Sequence, residues 1–147
     1  MTFNYVLRHD DTCPPVRATE GSAGYDLTVD EPVVLPVGAT RLATTGVSVA
    51  VPHGSVGLVV IRSSFGAKLG ISLANQVGVI DPDYTGEIML ALRNDGDKPM
   101  SLQRGTRAAQ LLLVPLLQGG DPVEVDALDE TARGAGGFGS TGSGGAS

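Results

Sequence analysis

The segment "NQVGVIDPDYTGE", Asn75 to Glu87, carries a short apolar run after its first two residues and then a group of turn formers. Val77, Val79 and Ile80 anchor a short strand, and "DPDYTG" turns the chain back into a second apolar run, "GEIMLALRN" (86–94). Pro, Asp and Gly between two such runs are the chemistry of a hairpin. Asp81 therefore stands where a strand emerges into the turn, held firmly yet able to meet solvent. A carboxylate so placed suits a general base that takes a proton from water. An Asp that merely opens a turn is the more ordinary reading of this segment alone.

The pattern continues in both directions. "PVVLPVG" (32–38), "TTGVSVAVPHG" (44–54), "SVGLVVIR" (55–62) and "AAQLLLVPL" (108–116) are short, rich in Val or Leu, and bounded by Gly or Pro. Such runs read as strands rather than helices. "VPHGS" and "RNDGDKP" carry the Gly, Asn and Asp of hairpin turns. Many short strands at this spacing predict an all-β sandwich or barrel. One helix of about two turns is expected at "SSFGAKLG" (63–70), with Ser63 as N-cap and Gly70 just past its end. "DALDETA" (126–132) is expected to add one helical turn.

Composition excludes several classes. The 147 residues suit one domain with a sizeable core. A hydrophobic share of 41% with 18% charged is ordinary for a soluble globular protein. The net charge of −6 argues against a general nucleic-acid binder, so a polyanionic ligand must be met by a few placed cations. The candidates are Arg62, Lys68, Arg104, Arg107 and Arg133. The lone Cys13 allows no intrachain disulfide and fits a reducing cytoplasm. With only His9 and His53 beside it, four-ligand zinc chemistry is not expected. No apolar run approaches the ~18 residues of a membrane span, and "MTFNYVLRHDDTCPPV" lacks the marks of a secretion signal. A cytoplasmic protein without membrane or nucleic-acid partners is expected.

Three further segments carry polar chemistry. "IRSSFGAKLG" places Arg62, Ser63 and Ser64 between a strand and a helix start, where hydroxyls, a guanidinium and free N–H groups make an anion site. Capping of the helix explains the serines as well. "SAGYDL" (22–27) offers Asp26 after a Gly turn. "RGTRAAQLLL" (104–113) offers Gln110 among apolar neighbours, as ligand or as satisfied core amide.

Near the C-terminus, Gly134, Gly136 and Gly139 of "RGAGGFGSTGSGG" match the dinucleotide spacing G-x-G-x-x-G. That fingerprint works only between a strand and a helix. Eight residues follow Gly139 and none can build a helix, so the match is a coincidence of glycine density. Seven of the 15 residues from Arg133 on are glycine. A barrel domain over residues 1–132 followed by a flexible arm over 133–147 is expected.

Taken in order, "AGYDL", "RSS", "NQVGVIDPDYTGE", "RGTRAAQ" and "RGAGGFGSTG" resemble the five motifs of the trimeric dUTPase family and span residues 23 to 142. The resemblance implies a distorted jelly-roll β-barrel and a homotrimer with three active sites at subunit junctions. It implies hydrolysis of dUTP to dUMP and pyrophosphate, which limits uracil in DNA and supplies dUMP for dTMP synthesis. By motif, Asp81 would activate the water that attacks the α-phosphorus, and Tyr84 would set its ring against the deoxyribose. Asn75 and the backbone of Val79, Ile80 and Met89 would bond the uracil edge. Arg62, Ser63, Ser64 and Gln110 would hold the α and β phosphates. Arg133, Phe138, Ser140 and Thr141 would close over the substrate as a lid, with Phe138 on the base. Mg²⁺ would bind across the three phosphates, and Asp26 would touch one of its waters.

Three departures accompany the resemblance: Ser64 where the family usually has Gly, Ala108 for a branched residue, and Pro82 after the acid. The nearest alternative is a dCTP deaminase of the same fold. That enzyme would need a glutamate where this chain has Ala91 and an arginine where it has Ala67, and it lacks a Gly-rich arm. A non-catalytic nucleotide-binding β-barrel is the other alternative, and it predicts loss of Asp81 or the arm.

Overall fold

Ten strands and one helix account for the regular structure of this computed structural model, which describes residues 2–117 and 120–136. In chain order they are β1 (Tyr5–Leu7), β2 (Tyr25–Thr28), β3 (Val33–Leu35), β4 (Thr40–Val49) and β5 (Ser55–Ile61). Helix α1 (Ser63–Leu69) follows, then β6 (Ile71–Leu73), β7 (Gly78–Ile80), β8 (Glu87–Asn94), β9 (Met100–Leu102) and β10 (Arg107–Pro115). All pairings are antiparallel. One sheet has the order β1-β4-β8-β6, the second β2-β10-β5-β7, and β3 and β9 form a ribbon. The result is the expected all-β distorted jelly-roll barrel with one short helix.

Strand β8 shows why the chain folds this way. Ile88, Leu90, Leu92 and Asn94 alternate with Glu87, Met89, Ala91 and Arg93, and the first set is buried. The period of two turns one face to the core and the other outward. Leu27, Leu35, Ile71, Leu111 and Val47 meet that face from the other strands, each fully buried. Truncating a side chain such as Leu90 to Ala would cost ~2–5 kcal/mol. Asn94 is buried too, and its amide donates to the carbonyls of Leu35 and Lys98 while its oxygen accepts from Gly96 N–H.

The expected hairpins are links between sheets. Strand β4 pairs with β1 and β8, whereas β5 pairs with β10 and β7, so "VPHGS" carries the chain across the barrel. "RNDGDKP" likewise leads from β8 to β9, whose partner is β3. "DPDYTG" leads from β7, beside β5, to β8, beside β4. Turn residues reverse the chain locally, but burial of each apolar face chooses the partner.

Helix α1 spans the expected segment, with one correction. Arg62, extended at φ −69° and ψ 141°, occupies the N-cap without a side-chain cap bond, and Ser63 is the first helical residue. Buried Phe65 anchors the helix, and Gly70 ends it at φ 62°. A side chain there would also lie 2.8 Å from the Gly96 Cα, so only glycine fits. The expected helical turn at 126–132 is absent: the chain bends at Asp126 and turns from Ala132 on. Leu128 is 86% exposed, so no apolar face is buried there, and a lone helical turn does not support itself.

Candidate active site

Six of the residues singled out in the sequence line one cavity of about 250 Å³: Asn75, Val79, Ile80, Asp81, Tyr84 and Met89, joined by Gly78, Glu87 and Ile88. The cavity lies where β7 and β8 part into separate sheets. Strand β7 has β5 on one side and, among the described residues, nothing on the other. Ala91 accepts from Ala74 N–H on the β6 side. Met89, two residues back, therefore turns its own N–H and C=O to that side, beyond the end of β6. Backbone groups that a sheet would normally pair thus border an open space, with Val79 61% and Met89 42% exposed beside them.

The turn at the cavity mouth is tightly built. Tyr84 N–H donates to the Asp81 carbonyl at 3.1 Å, with Pro82 second in the turn, where its fixed φ belongs. The Asp81 carboxyl is exposed. Tyr84 donates its hydroxyl to the Glu87 carbonyl at 2.8 Å. Its ring lies over Gly86, where a Cβ would sit 2.6 Å from the Tyr84 hydroxyl oxygen. Glu87 was not among the sequence candidates, although it closes the motif. Its carboxylate accepts from Gly46 N–H at 2.8 Å and from Arg8, fixing the first residue of β8 to an irregularity in β4.

A second cluster gathers the anion candidates. Register places Gln110 of β10 beside Asp26 of β2 and Val60 of β5. Buried Asp26 pairs with Arg62 Nε at 3.3 Å and with Arg107 Nη1 at 3.0 Å. Gly24 makes room for Gln110, since a Cβ there would lie 2.5 Å from the Gln110 Oε1. Ser63 and Ser64 are exposed on the first turn of α1. Arg107 is the addition: it stood out as a scarce cation, but only β2–β10 register shows its carboxylate partner.

The two clusters sit at opposite ends of β5. Ile80 faces Gly57, near the start of β5, whereas Arg62 follows its last residue. At ~3.3 Å per residue, Asp81 and Arg62 are roughly 20 Å apart along the sheet. Arg133 donates from Nε to the Gly136 carbonyl at 2.8 Å. Phe138, Ser140 and Thr141 lie outside the described residues.

Elsewhere, Arg104 binds Asp11 and buried Asp30, which also accepts from Thr12. The Arg104 guanidinium holds the Asp11 carboxyl below the usual carboxylate range. Ser72 and Arg93 do the same to Asp95. Both are exposed surface pairs with no part in either cluster.

Comparison with known proteins gives a consistent result. The dUTPase family model matches residues 11–142. The deoxyuridine 5'-triphosphate nucleotidohydrolase of Nocardia farcinica is 50% identical over 129 residues, 87% of this chain and 78% of that relative. A mutant dUTPase of Staphylococcus bacteriophage 80alpha with dUpNHpp superposes at a TM-score of 0.90, with 26% identity over 97% of this chain and 99% of that one. A mutant dUTPase from phage phi11 of S. aureus, described with a structural Mg(II) ion, matches at TM-score 0.79 and 24% identity over 86% of this chain and 98% of that one.

Proposed function

The chain belongs to the dUTPase family, and we propose how its own residues carry out that family's reaction. It hydrolyses dUTP to dUMP and pyrophosphate. One observation carries the residue assignment: the open cavity between β7 and β8, with Asn75, Asp81 and Tyr84 on its wall. A uracil edge has donors and acceptors that the Asn75 amide and the unpaired backbone of β7 and Met89 can meet. A cytosine would leave some of those groups unpaired, the kind of mismatch that costs ~10⁴ or more in selectivity. The ring of Tyr84, pinned over Gly86, closes the space where a ribose 2′-OH would stand. Asp81 takes a proton from the water that attacks the α-phosphorus, while Arg62, Ser63, Ser64 and Gln110 hold the α and β phosphates.

The separation of the clusters supports a site shared between chains. An Asp81-activated water cannot attack a phosphate held by Arg62 across roughly 20 Å of the same sheet. The Asp81 cavity of one copy and the Arg62 cluster of another meet in a homotrimer with three sites at its junctions. Residues 133–147 then close over the bound substrate, with Arg133, Ser140 and Thr141 toward the γ-phosphate and Phe138 on the uracil ring. Residues 1–132 form the barrel domain, and the cytoplasm is its compartment. Among the described residues no helix is long and apolar enough to cross a membrane.

Magnesium fits this arrangement through the substrate. Among the described residues no three His, Cys, Asp or Glu side chains form a cage for an ion. Asp26 Oδ2 accepts from Arg107 and Oδ1 forms an ion pair with Arg62, so the carboxylate keeps capacity for a further donor, such as a water held by the ion. When bound with the substrate, Mg²⁺ would supply neutralisation of the charge that develops in the transition state.

Pyrophosphate release from dUTP, dCTP and UTP tests the function. Release from dUTP alone is expected; equal release from UTP would remove the sugar role of Tyr84, and none from dUTP would remove the function. Ammonia release from dCTP would favour the deaminase, for which Ala91 offers no proton carrier.

A further inference from the structure

Two overlapping turns end β6 and begin β7. Gln76 N–H donates to the Leu73 carbonyl at 2.8 Å, closing a four-residue turn. Val77 N–H then donates to the Asn75 carbonyl at 2.6 Å, closing a three-residue turn centred on Gln76. Gln76 has φ +61°, and among the described residues every other positive φ belongs to glycine. A three-residue turn with positive φ at its centre is the rare, strained form. Strain of this kind persists only where the surroundings hold it.

The consequence falls on Asn75, third residue of the first turn and first of the second. Its side-chain nitrogen reaches within 3.8 Å of the point where a Cβ on Gly78 would lie, so the amide folds back over Gly78 on the cavity wall. Gln76 itself belongs to a different cleft, with Ser72, Arg93 and Asp95. Its contribution to the cavity therefore passes through the backbone.

We propose that Gln76 is a positioning residue, whose left-handed backbone aims the Asn75 amide into the base pocket. This rests on the reading of the cavity as the uracil site. A residue that resists the conformation lowers the fraction of chains with Asn75 in place, and the observed Kd rises in inverse proportion. Glycine adopts positive φ freely, whereas a β-branched residue there is an outlier.

The experiment is dUMP titration of the full-length protein and of its Gln76→Gly and Gln76→Val variants, with steady-state kinetics on dUTP. The Val variant should bind dUMP about tenfold more weakly, and Gly should stay within about twofold of the original. KM should rise with Kd while kcat changes by less than about threefold, because Asn75 meets the base and not the phosphorus. In an Asn75→Ala background, Gln76→Val should lose most of its effect on dUMP affinity. Gln76→Ala, a milder change, gives the same ranking if the Val variant does not fold. Unchanged dUMP affinity in the Val variant, or an equal loss in the Asn75→Ala background, would overturn the proposal. Failure of the unaltered protein to bind dUMP would instead overturn the base-site reading beneath it.

Discussion

Gly86→Ala is the sharpest perturbation of the sugar side of the cavity. Gly86 has no positive φ, so alanine brings no backbone penalty. Its methyl carbon, however, would sit 2.6 Å from the Tyr84 hydroxyl oxygen, 2.7 Å from Cζ and 3.0 Å from Cε2. Carbon contacts are comfortable near 3.5–4.0 Å, so the ring must withdraw by about 1 Å. Withdrawal strains or breaks the hydroxyl's bond to the Glu87 carbonyl and, on the proposed reading, shifts the ring that borders the deoxyribose. A displacement of that size at a substrate-positioning group costs about 10² in rate. The assay is kcat/KM for dUTP and for UTP, with the thermal midpoint measured in parallel. The variant should stay folded, lose about 10² in kcat/KM for dUTP, and show a smaller dUTP-over-UTP ratio. An unaltered ratio at an unaltered rate would refute the claim that the pinned ring sets sugar choice.

Three other outcomes follow from the same geometry. Asp81→Asn keeps the side chain's size but cannot take a proton, so dUMP binding should persist while turnover falls by ~10²–10⁴; near-normal turnover would remove Asp81 from the role. Deleting residues 133–147 should leave the barrel folded and dUMP bound but collapse turnover of dUTP; full-rate hydrolysis would make the arm dispensable. The Asp11 carboxyl titrates below its ordinary value of 3.8 beside Arg104. Its pairing therefore stabilises the fold above that pH and is lost as pH falls through the lowered value. Unfolding curves of the original and of Asp11→Asn should accordingly differ at neutral pH and converge in acid.

Much of this molecule is legible before any coordinates. The longer apolar runs at 55–62, 86–94 and 108–116 became β5, β8 and β10 nearly as bounded, β8 with strict alternation of buried and outward residues and β5 and β10 with burial on both faces over part of their length. The short strands β1, β2, β6 and β9 carry too few residues to show a period, and partner strands rather than local sequence make them extended. Turn chemistry at "VPHGS", "RNDGDKP" and "DPDYTG" marked the reversals but not the change of sheet. For that reason the open cavity between β7 and β8 could not be read from the sequence. Its lining could be: Asn75, Val79, Ile80, Asp81, Tyr84 and Met89 stand together as the motif implies. Glu87 was missed, and Arg107 stood out only as a scarce cation without its carboxylate partner, because Gly46, Arg8 and Asp26 are distant in sequence. The strained turn at Gln76 was invisible for a different reason, since glutamine gives no signal of positive φ.

Complementation tests the shared site most directly. Arg62→Ala chains keep the Asp81 cavity, and Asp81→Asn chains keep the Arg62 cluster. Either variant alone should be nearly inactive toward dUTP. Co-expressed in equal amounts, the two should recover roughly a quarter of the original activity, because random assembly pairs an intact cavity with an intact cluster at that frequency. A mixture as inactive as its parents would place both halves of each site in one chain and contradict the shared-site mechanism.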